Sequence, residues 1–166
     1  MDARPMLFRI ASLLEEHALE AILIGNGAAA LQGAPVTTVD FDFLFRKTPA
    51  NMAKLKAVAA DLDAVIMMPY YPVSNLFRVS RDSDGLQLDF MATVHGVRSF
   101  ASLRSRARTV KFDGTKLLVA DLSDIIKSKK AAGRPQDLAV LPVLERTLHE
   151  ETNYPKRKAR SSEEGK

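Results

Sequence analysis

Residues 23–45 read LIGNGAAALQGAPVTTVDFDFLF. The apolar run before Gly25 and the β-branched and aromatic run from Val39 to Phe45 read as two short strands. Between them, Gly25-Asn26-Gly27 reads as a turn that opens a small-residue helix, and Gly33 is a natural helix stop. Ala34-Pro35 is loop.

The second strand carries the chemistry. Side chains alternate across a strand, so Asp40 and Asp42 share one face, while Val39, Phe41, Phe43 and Phe45 take the other. Two carboxylates side by side repel each other. A divalent cation reverses that repulsion, and hard oxygen ligands suit magnesium. On its own, Asp-x-Asp is equally consistent with the solvent face of an antiparallel strand.

A third acid, Asp89, sits in Leu86-Gln87-Leu88-Asp89-Phe90, a strand that otherwise alternates between apolar and polar. If this strand lies beside the first, three carboxylates converge. Such a triad holds two magnesium ions ~4 Å apart, an arrangement that activates a hydroxyl and stabilises a leaving pyrophosphate. Backbone N–H groups at a glycine-opened helix start suit an anion such as phosphate. The Walker loop and the dinucleotide fingerprint are both missing from the sequence.

Outward from this segment, helices are expected over residues 6–19, 49–62, 100–104, 122–132 and 135–150. Further strands are expected over 64–68, 76–80, 86–93, 109–112 and 116–119. The order predicts an α/β (α+β) fold: a mixed sheet flanked by helices and closed by a C-terminal helical pair. Residues 1–150 form one domain in this reading, and 151–166 a basic, disordered tail.

Composition excludes several classes. The sequence has no cysteine, which removes disulfides, thiolate zinc sites and a cysteine nucleophile. Its three histidines are far apart, so a histidine-rich metal site and a Ser-His-Asp triad have no support. No apolar run approaches the ~20 residues of a membrane span, and the N-terminus does not read as a signal peptide. A cytoplasmic protein is expected. The net charge of +4 owes most to the tail, where five basic residues from Lys156 onward outnumber two acidic ones.

Taken together, residues 23–45 resemble the signature of the polymerase-β-like nucleotidyltransferases, closest to the small AbiEii-type group that includes toxin components of toxin–antitoxin pairs. The matching positions are Gly25, Asn26, Ala28, Gly33, Thr38, Asp40 and Asp42, with Asp89 on the third-carboxylate strand. A second match runs from Asp121 to Leu138, where Lys129 and Asp137 fall on the family's lysine and late acid around Ala-Gly-Arg-Pro. The resemblance covers roughly residues 20–148. It implies transfer of a nucleoside monophosphate from a triphosphate to a hydroxyl of a tRNA end or a protein, with an antitoxin as a further partner. It implies two Mg2+ ions on Asp40, Asp42 and Asp89. Gly25, Asn26, Gly27, Thr38, Lys129, Arg134 and Asp137 would contact the nucleotide.

Two residues depart from the pattern. Asn26 stands where the family has Gly or Ser, and Val36 where many members carry Arg. They leave open a catalytically inactive nucleotide- or protein-binding module of the same fold. Lys129 reads either as a cation at a helix C-terminus or as a triphosphate contact. Arg134 either holds Asp137 or reaches phosphate. The basic run Arg98, Arg104, Arg106, Arg108, Lys111 and Lys116 is either an RNA-facing edge or a solvated face. Tyr70 and Tyr71, before Pro72, read either as a loop that stacks on a base or, the favoured reading, as a cap on the core.

Overall fold

The computed structural model describes residues 4–38 and 40–163, with side chains described as far as residue 153. Helix α1 (Arg4–Glu16) buries the stripe Leu7, Ile10, Leu13 and Leu14. It stops three residues short of the expected end because Ala18 takes a φ of +51°. The Leu19 N–H then returns to the Leu14 carbonyl at 2.9 Å, closing the helix.

Strand β1 (Ala21–Ile24) is buried along its whole length. Helix α2 (Gly25–Leu31) follows with no intervening turn, so the Gly-Asn-Gly segment is itself the first helical turn. Strand β2 (Phe41–Phe45) starts two residues later than expected. Val39 lies outside the described residues, and Asp40 is a bend rather than part of the ladder. The Thr38 hydroxyl donates to the Asp40 carbonyl, folding this approach back on itself.

Helix α3 (Pro49–Asp61) is capped by Thr48, whose hydroxyl accepts the Asn51 N–H. Strands β3 (Val65–Met67), β4 (Leu76–Arg81) and β5 (Leu86–Met91) follow. Helix α4 (Phe100–Arg106) is capped by Ser99. Strands β6 (Arg108–Phe112) and β7 (Thr115–Val119) form a hairpin around Asp113-Gly114, where both residues have positive φ. Helix α5 (Leu122–Ala132) starts on an Asp121 cap and stops at Gly133, φ +63°. It packs against α6 (Pro135–Glu163), forming the expected helical pair. The expected tail, 151–166, falls mostly beyond the described side chains.

The seven strands form one mixed sheet in the order β3-β4-β5-β2-β1-β7-β6. β2 runs parallel to β5, and β1 parallel to β7; the other neighbours are antiparallel. Register at the centre is fixed by aromatics. Phe43 and Phe90 are cross-strand partners, and their rings stack at 5.0 Å between centroids. The Phe45 ring meets Phe90 edge-on at 5.8 Å. All three rings are fully buried. Phe90→Ala should lower unfolding stability by about 3–5 kcal/mol, the usual range for a buried aromatic truncation, read as a lower urea midpoint with an unchanged m-value.

Candidate active site

One register step from the aromatic stack, on the opposite face, Asp42 pairs with Asp89 across the parallel β2–β5 ladder. The two carboxylates therefore sit side by side, as the sequence expected. Asp40 joins them from the bend before β2 instead of from the strand. Its charge, with that of Asp89, acts on Asp42. Burial, then Asp89, then Asp40 push the Asp42 carboxyl up to about 6, against a smaller opposing pull from Lys129 and Arg134.

Asp40 and Asp42 line a cleft of about 740 Å3, within the ~300–1,000 Å3 usual for ligand pockets. Ile24 pairs with Asp42, so the start of α2 follows directly beside the carboxylates. Gly25 has a φ of +68°, and a Cβ there would stand 3.1 Å from Asp42 Oδ2. The left-handed backbone strains any other residue there, and a side chain would also push the Asp42 carboxylate aside. Asn26 also lines the cleft, and its side-chain Oδ1 is buried with no hydrogen-bond partner among the described residues. Gly27 packs its backbone against Phe41 and Leu23, where a Cβ would come within 3.3 Å of the Phe41 ring. Thr38 lines the cleft near Asp40. Val36 packs against the hydrophobic core, so its apolar side chain has a structural place.

The opposite wall is cationic. Lys129, from the last turn of α5, and Arg134, from the link to α6, both line the cleft. They meet at Asp137, which is 2% exposed. Arg134 Nε donates to Asp137 Oδ2 at 2.7 Å, and Lys129 Nζ lies 3.6 Å from Oδ1. Burial alone would raise the Asp137 carboxyl, but the hydrogen bonds and charge of Arg134, with Lys129 behind them, hold it below the usual carboxylate range. Asp137 thus fixes two cations whose charge also reaches Asp42.

One partner was missed at the sequence level. Arg78 on β4 faces Asp89 in register. Its guanidinium forks onto the carboxylate, with Nε at 2.9 Å from Oδ1 and Nη2 at 3.1 Å from Oδ2. The signal was legible: the four-residue turn 82–85 sets the hairpin register, and that register places Arg78 opposite Asp89.

Other expectations change. Tyr70 and Tyr71 are 57% and 70% exposed, so they do not cap the core. They sit in a turn whose backbone closes on itself, Val73 N–H donating to the Tyr70 carbonyl, and this holds the rings outside the sheet. Tyr70 lines the cleft instead. Within the basic run, Arg104 pairs with Glu20, Arg106 forks onto buried Asp124, and Arg108 bonds Asp121 and Glu151. These three arginines tie α4 and β6 to the rest of the chain.

No protein-family model matches the sequence, and no curated protein matches it. Solved structures do. The antibiotic-resistance factor ANT(2'')-Ia aligns over 99% of this chain and 98% of its own, with a TM-score of 0.61 and 15% identity. The fold is that of the nucleotidyltransferases. The lincosamide antibiotic adenylyltransferase LnuA, solved with lincomycin bound, aligns over 84% of this chain and 94% of its own, with a TM-score of 0.60 and 13% identity. A candidate nucleotidyltransferase from Thermotoga maritima aligns over 88% and 92%, with a TM-score of 0.59 and 17% identity. Among the described residues, no helix is long and apolar enough to cross a membrane.

The raised Asp42 carboxyl gives a pH prediction. A carboxyl that is harder to ionise when folded costs stability once it is ionised, so the cost is absent below the unfolded pKa near 4, grows as pH rises, and is complete above about 6. In metal-free buffer at pH 8, Asp42→Asn should therefore be more stable than wild type by about 2–3 kcal/mol, and the difference should close as pH falls to about 4. Parallel urea titrations in EDTA across that range measure it.

Proposed function

We propose that the protein moves a nucleoside monophosphate from a nucleoside triphosphate to a hydroxyl acceptor. The observation that carries this reading is the Asp42–Asp89 pair, joined by Asp40, across a cleft from Lys129 and Arg134. A fold that places carboxylates at such a cost to one another, opposite fixed cations, is arranged for an ionic ligand. The shared fold of adenylyltransferases over nearly the whole chain supports the same reaction class.

The donor set fits a divalent cation. Its ligands are hard oxygens, they repel one another, and the missing Cβ of Gly25 leaves Asp42 Oδ2 open. Asp40 and Asp42 would hold Mg2+, with Asp89 as the third carboxylate of the set. The ion, when bound, supplies charge that offsets the triphosphate and favours loss of the acceptor hydroxyl proton.

The chain's own residues do the rest. Gly25, Asn26 and Gly27 receive the β- and γ-phosphates at the start of α2, with Thr38 beside them. An amide turns about its last torsion, so Asn26 can present its NH2 to phosphate oxygen. Lys129 and Arg134, held by Asp137, take the negative charge that builds on the leaving group. The acceptor oxygen bonds to the α-phosphorus, the bond to the β-phosphate oxygen breaks, and pyrophosphate departs. Asp89, once released by Arg78, would take the acceptor proton.

Small hydroxyl compounds are the acceptors favoured by the structural neighbours, one of which was solved with adenylyl-2''-tobramycin and another with lincomycin. Near the carboxylates the cleft mixes apolar Leu76, Met91 and Val94 with polar Asn75, Thr93 and His95, a lining suited to a small acceptor that carries both kinds of surface. A tRNA or protein acceptor, and an antitoxin partner, rest on the sequence resemblance alone. The internal pairing of Arg104, Arg106 and Arg108 weighs against an RNA-facing edge there.

Transfer of label from each of four α-labelled triphosphates tests the proposal, with Mg2+ and, in turn, lincomycin, an aminoglycoside, total RNA and cell lysate. Labelled product that is lost by at least 100-fold in Asp42→Asn is expected. Nucleotide binding without labelled product from any acceptor would favour the non-catalytic binding module, to which Asn26 also points.

A further inference from the structure

The structure sets Arg78, Asp89 and Asp42 in one row across β4, β5 and β2. Asp89 is 8% exposed, and both of its oxygens accept from the Arg78 fork. A bidentate guanidinium is a strong, geometrically specific partner for a carboxylate. It also takes one acceptor site on each oxygen and offsets the negative charge that would draw in a metal ion. Asp40 and Asp42 have no such arginine among the hydrogen bonds and ion pairs of the described residues. The three carboxylates are therefore not equivalent: two face the cleft, and the third already has a counter-cation.

We propose that Arg78 is the resident counter-cation of Asp89, so that the nucleotide-free protein takes one divalent ion, through Asp40 and Asp42, and Asp89 binds metal only when Arg78 has moved away. This rests on the metal-site reading above and refines it. The polypeptide supplies the positive charge at the third carboxylate, and a second ion must displace a forked, part-buried ion pair to enter. An ion entering there must part Asp89 from both arms of the fork and leave Arg78 without its carboxylate, so the displacement lowers metal affinity.

The test is Mn2+ binding, followed by electron paramagnetic resonance of the free ion and by calorimetry, without nucleotide or acceptor. Wild type should bind one ion. Asp42→Asn should lose it, whereas Asp89→Asn, which keeps the shape of the side chain but leaves the Arg78 charge unpaired beside Asp42, should still bind one ion, more weakly than wild type. Arg78→Gln should gain a second ion, or bind at least 10-fold more tightly, and the double variant Arg78→Gln/Asp89→Asn should return to the wild-type pattern.

Weaker Mn2+ binding in the charge-balanced double variant than in wild type overturns the proposal, because Asp89 then ligates metal while Arg78 is present in the wild-type protein. That outcome is readable even if Arg78→Gln alone fails to fold, since the double variant leaves neither charge unpaired. A gain in Arg78→Gln that persists in the double variant also overturns it, since the effect would then be general charge removal. An enzyme with no transfer activity but this pattern of binding supports the Arg78 assignment and counts only against the transfer reading.

Discussion

Parallel pairing of β2 with β5 brings Asp42 alongside Asp89, and the rest of the site is organised around that enforced proximity. The pairing is held from the far side of the sheet by the buried Phe43–Phe90 stack. Because strand side chains alternate, the residues that lock the register are the immediate neighbours of the residues that repel. Slippage by one residue would bury the acids and expose the rings. The aromatic core thus supplies the constraint, and the raised Asp42 carboxyl records first its burial and then the repulsion of Asp89 and Asp40.

Positive charge is distributed around the carboxylates in two ways. Lys129 and Arg134 stand across the cleft, anchored by nearly buried Asp137. They are fixed in place before a ligand arrives, which is the condition for electrostatic stabilisation without reorganisation. Arg78 lies on the other side, in direct contact with Asp89. The first pair faces the open volume where an anionic ligand fits, and the last faces a buried carboxylate. Position alone separates the two roles.

Much of this was legible in the sequence because it follows from local rules. The alternation of FDFLF and LQLDF set Asp42 and Asp89 on one face and Phe43 and Phe90 on the other, as the β2–β5 register has them, and Thr48-Pro49 and Gly133 marked helix ends that the structure confirms. The misses arise where local rules yield to backbone geometry or to long-range pairing. Asp40 leaves the strand because Thr38 bonds its carbonyl. Helix α1 ends early because Ala18 enters the left-handed region, which alanine composition does not announce. Tyr70 and Tyr71 look like core residues by type, but their turn holds them out. Arg78 was hidden in an ordinary strand, and only hairpin arithmetic connects it to Asp89.

Under the proposed function, the Asp40–Asp42 cleft holds a metal ion and a nucleotide together. Crystals grown with Mn2+ and a non-hydrolysable nucleoside triphosphate, with data collected at a wavelength where manganese scatters anomalously, test it most directly. The account predicts an anomalous peak in contact with Asp40 and Asp42, and triphosphate density between the start of α2 and Lys129. Nucleotide bound elsewhere on the protein, or a cleft with neither the peak nor the triphosphate under saturating conditions, would contradict it.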